Sequence, residues 1–187
     1  MPYALELVSP IRMEDLRGDE DASVLNQLLL RNRQVYIDSA THVYNRRYFD
    51  DRLRDLDGEF TLAMLDLDHF KHINDTYGHL AGDAALSRAA QAIRSAIRTG
   101  DELVRYGGDE FLLLFHDMPR NVLKKKLESI RAAVESLEFP EYPGLRITVS
   151  IGGAHAVGPL ADTVQKADHA LYHAKAAKNR TVLYKDC

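Results

Sequence analysis

The chain has 187 residues, 45% of them hydrophobic, which suffices for one well-packed domain and a short extension but is marginal for two domains. Its 24 basic and 28 acidic residues give a net charge of −4, which excludes the basic surface of a typical nucleic-acid-binding protein. The single cysteine, Cys187, excludes a disulfide framework and a cysteine-based zinc site. Residues 1–23 contain acids where a signal peptide needs an apolar run, and no stretch approaches the roughly 18 apolar residues of a membrane helix. We therefore expect a cytoplasmic protein with no membrane segment.

Residues 1–37 are expected to form an N-terminal extension that contains a helix over 19–37. Four residues of this helix follow the 3-4-3 spacing of a coiled-coil seam, namely Leu25, Leu28, Asn32 and Val35. A polar Asn32 in the seam would fix the register of a dimer. Two heptads also fit a helix that packs on its own domain, so the extension is interpreted either as a dimerisation or signalling helix or as part of the domain.

Residues 38–187 alternate between helical and extended patterns, which predicts one α/β domain. Helices are predicted over 44–56, 83–98, 119–137 and 160–178, and strands over 59–68, 145–156 and 181–184. Gly100 is predicted to cap the helix 83–98. The segments ELVRY and EFLLLF flank a GGDE turn and predict an antiparallel hairpin. The fold class is therefore α/β, with a mixed central sheet and helices on both faces.

Carboxylates are predicted to converge at one edge of this sheet. Asp66 and Asp68 end the apolar strand, and the hairpin turn offers Asp109 and Glu110. Ionised carboxylates beside apolar strands are costly unless they are paired or bind a cation, and oxygen ligands suit Mg²⁺ or Mn²⁺. Such metal sites commonly run phosphoryl and nucleotidyl transfer. Two simpler roles remain open: Asp68 as the cap of the following helix, and Asp109 as a shaping residue of the turn.

Two motifs carry a family resemblance that extends from Asp38 to about Tyr184. RYGGDEF, at 105–111, resembles the signature of the GGDEF domain of diguanylate cyclases, and DSATHVYNRRYF, at 38–49, is similar to the motif that opens that domain. The matching residues of the second motif are Asp38, Thr41, Asn45, Arg46 and Arg47. The resemblance implies a fold like that of nucleotidyl cyclases and polymerase palms. It also implies an enzyme that acts as a homodimer and joins two GTP molecules into cyclic di-GMP, with release of two pyrophosphates.

The resemblance further implies a role for individual residues. The metal ligands would be the side chains of Asp66, Asp109 and Glu110 and the carbonyl of Leu67, and Asp109 or Glu110 would help to activate the ribose 3′-hydroxyl. Gly107 and Gly108 would let the backbone approach GTP. Backbone amides near Phe70 and Lys71 would bind phosphates, which is ordinary chemistry at a helix start. Asn74 and Asp83 would bind the guanine edge, although Asp83 could equally cap a helix that begins there.

The resemblance departs from the family pattern in the phosphate-binding segment. Lys175 follows the family's Ala-Leu-Tyr-x-Ala-Lys pattern and would contact the triphosphate. The family usually continues with two residues, a glycine, a basic residue and an asparagine, whereas this chain reads Lys175-Ala-Ala-Lys178-Asn179-Arg180 without the glycine. Lys178 is therefore the expected second cation, one residue early. Both lysines could instead only complement a helix C-terminus.

RTGD, at 98–101, matches the family's product-inhibitory RxxD site in sequence and in its distance from the two glycines. Arg98 and Asp101 would bind cyclic di-GMP, and Arg131 is a weaker candidate for a third contact. The alternative is that Arg98 only ends a helix. Two rival functions also remain: a catalytically weak domain that serves as a receptor for GTP or cyclic di-GMP, and a cyclase that makes a mixed guanine–adenine product. The guanine-specific acceptor Asp83 argues against the second rival.

Overall fold

The computed structural model of the chain describes residues 35–185. Residues 1–34 of the predicted extension, which include every residue of the coiled-coil seam except Val35, lie outside the described residues. The described elements, in chain order, are β1 (Tyr44–Asn45), α1 (Arg46–Tyr48), a π-helical turn (Phe49–Leu53), β2 (Asp57–Leu67), α2 (Phe70–Tyr77), α3 (His79–Ala96), β3 (Glu102–Arg105), β4 (Glu110–Phe115), α4 (Arg120–Glu135), β5 (Val149–Pro159), α5 (Leu160–Lys175) and β6 (Thr181–Leu183).

The six strands form one mixed sheet in the order β1-β3-β4-β2-β5-β6. β2 lies in the centre and is antiparallel to both β4 and β5, whereas the outer pairs β1–β3 and β5–β6 are parallel. β3 and β4 form the predicted antiparallel hairpin, with Arg105 opposite Phe111. The mixed sheet inferred from the sequence is therefore confirmed.

Helices cover both faces of the sheet, because side chains of the central strand alternate between two apolar clusters. Ala63, Leu65 and Leu67 pack in one cluster with α3 and α4, and Leu62 and Met64 pack in the other with α5. All five side chains are at most 2% exposed. A strand buried on both faces explains why the segment is an almost continuous apolar run in the sequence.

Several predicted element boundaries are wrong: the strand predicted over 145–156 is Val149–Pro159, and the helix predicted over 160–178 ends at Lys175. Residues 44 and 45 form β1 rather than the start of a helix. The helix that contains Asp83 begins at His79, so Asp83 lies inside it and does not cap it. The same helix ends at Ala96, with Ile97 already extended, so Gly100 is not its cap. The guanidinium of Arg94 instead donates to the carbonyls that follow the helix, including that of Arg98 at 2.8 Å.

Within residues 35–185, no helix combines the length and the apolar character that crossing a bilayer requires.

Candidate active site

The register of the β2–β4 pair brings the predicted carboxylates to one end of the sheet. Asp66 lies directly opposite Glu110 in the antiparallel ladder. The N–H of Leu67 donates to the carbonyl of Asp109 at 3.1 Å, which extends the pairing into the turn. Directly opposed residues of an antiparallel pair have Cβ atoms about 5 Å apart. Asp66 and Glu110 are therefore close neighbours, with Asp109 next to them along the turn.

The two glycines of the turn have different physical roles. The N–H groups of Tyr106 and Gly107 both donate to the carbonyl of Glu110, at 2.8 and 3.2 Å, and close the turn. A Cβ atom on Gly107 would lie only 2.4 Å from Oε2 of Glu110, so this glycine makes room for the carboxylate. A Cβ atom on Gly108 would meet nothing within 4 Å. Gly108 therefore leaves open surface beside the acids.

Asp66 is a buried carboxylate held beside a single lysine. Its Oδ2 atom accepts a hydrogen bond of 2.7 Å from Nζ of Lys175, the last residue of α5. Burial raises the pKa of Asp66 to about 6, because it outweighs the hydrogen bond from Lys175, and the charges of Asp109 and Glu110 add to the rise. Burial acts to lower the pKa of Lys175, but the contact with Asp66 leaves that pKa above its ordinary value.

The carboxylates at this edge of the sheet have the right chemistry to bind a divalent cation, but their side chains are not arranged as a complete metal site. Across the described part of the chain, no three His, Cys, Asp or Glu side chains lie close enough together to hold a metal ion. Asp66 nevertheless offers carboxylate oxygens near the negative charges of Asp109 and Glu110, and the ammonium group of Lys175 contacts one of those oxygens. Asp66, Asp109, Glu110 and the carbonyl of Leu67 are the groups that could hold Mg²⁺ or Mn²⁺ there.

Asp68 has a structural environment that differs from that of Asp66. Its carboxylate accepts hydrogen bonds from the hydroxyls of Thr148 and Ser150, at 2.6 and 2.7 Å, and from the N–H of Asn179 at 2.8 Å. The following helix α2 has no side-chain cap, so the capping role considered for Asp68 is wrong. Asp68 instead ties β5 to the loop after α5.

The predicted phosphate and guanine contacts lie on α2 and α3. Because α2 begins at Phe70 without a side-chain cap, its first backbone amides, which include those of Phe70 and Lys71, are available to an anion. Asn74 lies one turn further along and packs against Gly82 of α3, where an added Cβ would lie 1.9 Å from its Oδ1 atom. Asp83 follows Gly82 and is exposed. Sequence reasoning missed Gly82, although a glycine inside a helical pattern is a signal of close packing.

The loop after α5 keeps Lys178 near the start of α2. Its Nζ atom lies 2.9 Å from Nε2 of His69, the residue that precedes α2. Lys178 and Asn179 adopt left-handed conformations, with φ of 56° and 44°, where the family pattern has a glycine nearby. The chain therefore makes this tight turn without glycine. The contact of His69 with Lys178 could not be predicted from the sequence, because the two residues are more than a hundred positions apart.

Arg105 links the segment that precedes β1 to the turn between β3 and β4 by hydrogen bonds. The guanidinium of Arg105 donates to both carboxylate oxygens of Asp38, at 3.1 and 3.2 Å, and to the carbonyl of Gly108 at 2.8 Å. The guanidinium of Arg46 lies over the ring of Tyr106, 3.8 Å from its centroid. Sequence reasoning gave no role to Arg105, which fixes the second glycine of the turn to the start of the domain.

The residues predicted for product inhibition are not all brought together. Asp101 is 4% exposed, and its two oxygens accept from the N–H groups of Arg98 and His116, at 3.0 and 3.1 Å. Arg98 is exposed at the same turn. Arg131 instead contacts Glu128, Glu135 and Asn179. None of the contacts described for Arg131 reaches the Arg98–Asp101 turn.

Comparisons with known proteins agree on one family. The family model "Diguanylate cyclase, GGDEF domain" matches residues 35–181. Diguanylate cyclase DgcM of Escherichia coli K12 is 39% identical over 127 residues, which are 67% of this chain and 30% of that protein. Diguanylate cyclase VdcA of Vibrio cholerae is 33% identical over 173 residues, 87% of this chain and 51% of that protein. The chain thus spans about half or less of the curated relatives that it matches.

Solved structures show the same similarity. The coiled coil and GGDEF domain of DgcB from Caulobacter crescentus, in complex with c-di-GMP, superposes with a TM-score of 0.79 at 31% identity, and the match covers 88% of this chain and 93% of that one. The GGDEF domain of PA1120 from Pseudomonas aeruginosa matches with a TM-score of 0.70 at 27% identity, over 79% of this chain and 99% of that one.

Proposed function

Because the chain belongs to the GGDEF domain family of diguanylate cyclases, we propose that it condenses two GTP molecules into cyclic di-GMP and releases two pyrophosphates. The observation that carries this proposal is the pairing of Asp66 with Glu110 across β2 and β4, beside the open surface at Gly108. The catalytic domain is taken as residues 38–187, with residues 1–37 as an extension.

The proposed reaction forms two phosphodiester bonds. The 3′-hydroxyl oxygen of each GTP attacks the α-phosphorus of the other, the bond to the β-phosphate oxygen breaks, and pyrophosphate leaves. A carboxylate of the Asp109–Glu110 pair takes the hydroxyl proton. A bound Mg²⁺ or Mn²⁺ ion would neutralise charge on the phosphate oxygens. The amides near Phe70 and Lys71, together with Lys175 and Lys178, bind the phosphates and hold them for attack.

Guanine selection is assigned to Asn74 and Asp83. An ionised Asp83 accepts from the N1–H and the exocyclic amine of guanine, which adenine cannot match. One domain holds one GTP, so two copies of the domain must face each other, at least transiently. Product inhibition is assigned to the Arg98–Asp101 turn, with Arg98 as the accessible group, since both oxygens of Asp101 are occupied by backbone amides.

Product analysis with a single variant tests the proposal. Protein incubated with GTP and Mg²⁺ should yield a species with the mass of cyclic di-GMP. Glu110→Gln should lower kcat by at least about 100-fold, because it removes one carboxylate from the proposed proton transfer and metal site. Its melting temperature and circular dichroism should match those of the wild type. Glu138→Gln, an exposed glutamate outside the helices and strands, is the matched control.

Three results would reject parts of this assignment. Full turnover by Glu110→Gln would show that the Glu110 carboxylate takes no part in the reaction. GTP or cyclic di-GMP binding with no product at any enzyme concentration would make the chain a receptor. A mixed guanine–adenine dinucleotide, formed when ATP and GTP are supplied together, would overturn the specificity assigned to Asp83.

A further inference from the structure

The loop between α5 and β6 adopts a conformation that its own sequence disfavours. Lys178 and Asn179 are consecutive non-glycine residues with positive φ, at 56° and 44°. Asparagine tolerates the left-handed region, but lysine rarely adopts it. Such a conformation persists only where the surroundings impose it. The contacts of the loop should therefore identify what imposes it.

The backbone of the loop is anchored from the sheet side by Asp68. This carboxylate is 5% exposed, and it accepts from the N–H of Asn179 at 2.8 Å. The hydroxyls of Thr148, immediately before β5, and of Ser150, on β5, donate to the same carboxylate. A charged acceptor fixed by two further donors makes a strong, directed bond to one amide of the loop.

The side chain of the same asparagine is anchored from α4. Oδ1 of Asn179 accepts from Nη1 of Arg131 at 2.7 Å, and its Nδ2 atom donates to Glu135 at 2.7 Å. Arg131 itself donates to Glu128 at 2.9 Å and to Glu135 at 2.7 Å, and its side chain is 18% exposed. Two carboxylates on its own helix thus orient the guanidinium toward the loop. Asn179 is therefore held by hydrogen bonds at three atoms, its backbone nitrogen, Oδ1 and Nδ2.

Fixing Asn179 fixes the residue before it. Nζ of Lys178 lies 2.9 Å from His69, immediately before the uncapped start of α2. Lys175, at the other end of the same segment, contacts Asp66 at 2.7 Å. The loop therefore sets the distance between Lys175 and Lys178, the two lysines proposed to bind the triphosphate. A shift of the loop would move Lys178 away from α2 while Lys175 stays on the helix.

We propose that Arg131 is a positioning residue for triphosphate binding: with Asp68 it holds Asn179 in the left-handed conformation and so directs Lys178 to the phosphate site at the start of α2. The proposal rests on the proposed function of that site. It gives Arg131 a role in substrate binding rather than the product-inhibitory role that its sequence position suggested. It also explains how the chain keeps a second phosphate cation without the glycine of the family pattern.

The test compares Arg131→Ala, Arg131→Lys and the control Lys125→Ala, an exposed lysine on the same helix. Arg131→Ala should raise the KM for GTP about tenfold, the effect of losing one charged hydrogen bond, with a much smaller change in kcat. Binding of GMP, which lacks the β and γ phosphates, should stay unchanged. Arg131→Lys should recover part of the loss, because an ammonium can still donate to Asn179. Lys125→Ala should match the wild type.

Hydrogen exchange of the nucleotide-free protein separates this proposal from the proposed function. Arg131→Ala should speed exchange of the Asn179 amide about tenfold, because the Asp68 bond opens more often, while amides of β2 keep their protection. Unchanged exchange together with an unchanged KM would overturn the positioning role. If Arg131→Ala weakened inhibition by cyclic di-GMP and left the KM for GTP unchanged, Arg131 would belong to the product-inhibitory site instead. A wild-type protein that binds no GTP would reject the proposed function, and the exchange result would then still show whether Arg131 holds the Asn179 loop in place.

Discussion

Asp66 is a single buried group that makes the stability of the folded protein depend on pH. Its pKa is raised from 3.8 to about 6 by burial, so the folded protein binds a proton here more tightly than the unfolded chain does. The contribution of this group to stability is therefore present at about pH 4 and is lost as the pH rises through about 6. A bound cation should restore stability above that pH, since it pairs with the ionised carboxylate.

The predicted consequence is a pH-dependent difference between the wild type and Asp66→Asn in the absence of metal. As the pH rises from 4 to 7.5, the free energy of unfolding of the wild type should fall relative to that of the variant, by on the order of 2 kcal/mol. Urea unfolding in the presence of a chelator measures it. Asp75→Asn, an exposed aspartate on α2, is the control. A constant difference between the wild type and Asp66→Asn across this range would contradict the raised pKa.

At the residue scale, sequence patterns anticipated which acids converge but not what holds them. The hairpin pattern placed Asp109 and Glu110 at a turn, and the apolar run placed Asp66 at a strand end, so their meeting followed from one strand pairing. The contact of Lys175 with Asp66 and the hydroxyl partners of Asp68 join residues 80 or more positions apart. No local pattern encodes such tertiary contacts.

Elements fixed by periodicity or by an apolar run were predicted well, and elements fixed by backbone geometry were not. β2, α4 and α5 carry long regular patterns, and their predicted cores match the structure. The separation of α2 from α3 depends instead on Gly78, whose φ is 84°. The π-helical turn at 49–53 has no pattern of its own. Both features depend on how neighbouring elements pack rather than on hydrophobic spacing.

The packing of α5 on β5 gives a prediction at the scale of elements. A Cβ atom on Gly152 would lie 2.1 Å from the backbone N of Leu171 and 2.2 Å from the carbonyl of Ala167, and backbone atoms cannot move aside cheaply. Gly152→Ala should therefore lower the free energy of unfolding by about 3 kcal/mol or more. Gly108→Ala, where nothing lies within 4 Å, should stay within about 0.5 kcal/mol of the wild type. Equal denaturation midpoints for the two variants would show that α5 can move away from the sheet.

For the molecule as a whole, the chain order of the strands explains why the site lies where it does. β2 is central and antiparallel to both neighbours, so its carboxyl end meets the start of β4 and the start of β5. The helix α5 returns from the far end of β5 and delivers Lys175 to the same edge. In the proposed reaction, the acids and lysines of this edge would bind one nucleotide, so two nucleotides would require two molecules.

The last prediction follows from this requirement. Turnover per subunit should rise with enzyme concentration and then level off as dimers fill, which initial rates measured alongside solution mass would reveal. At the plateau, excess Glu110→Gln subunits should lower the rate of the wild type, because mixed dimers carry one impaired site. An equal excess of Glu138→Gln subunits should add activity instead. A turnover that is independent of concentration and of added Glu110→Gln would mean that one subunit completes the reaction alone, and one nucleotide site per domain could not then be correct.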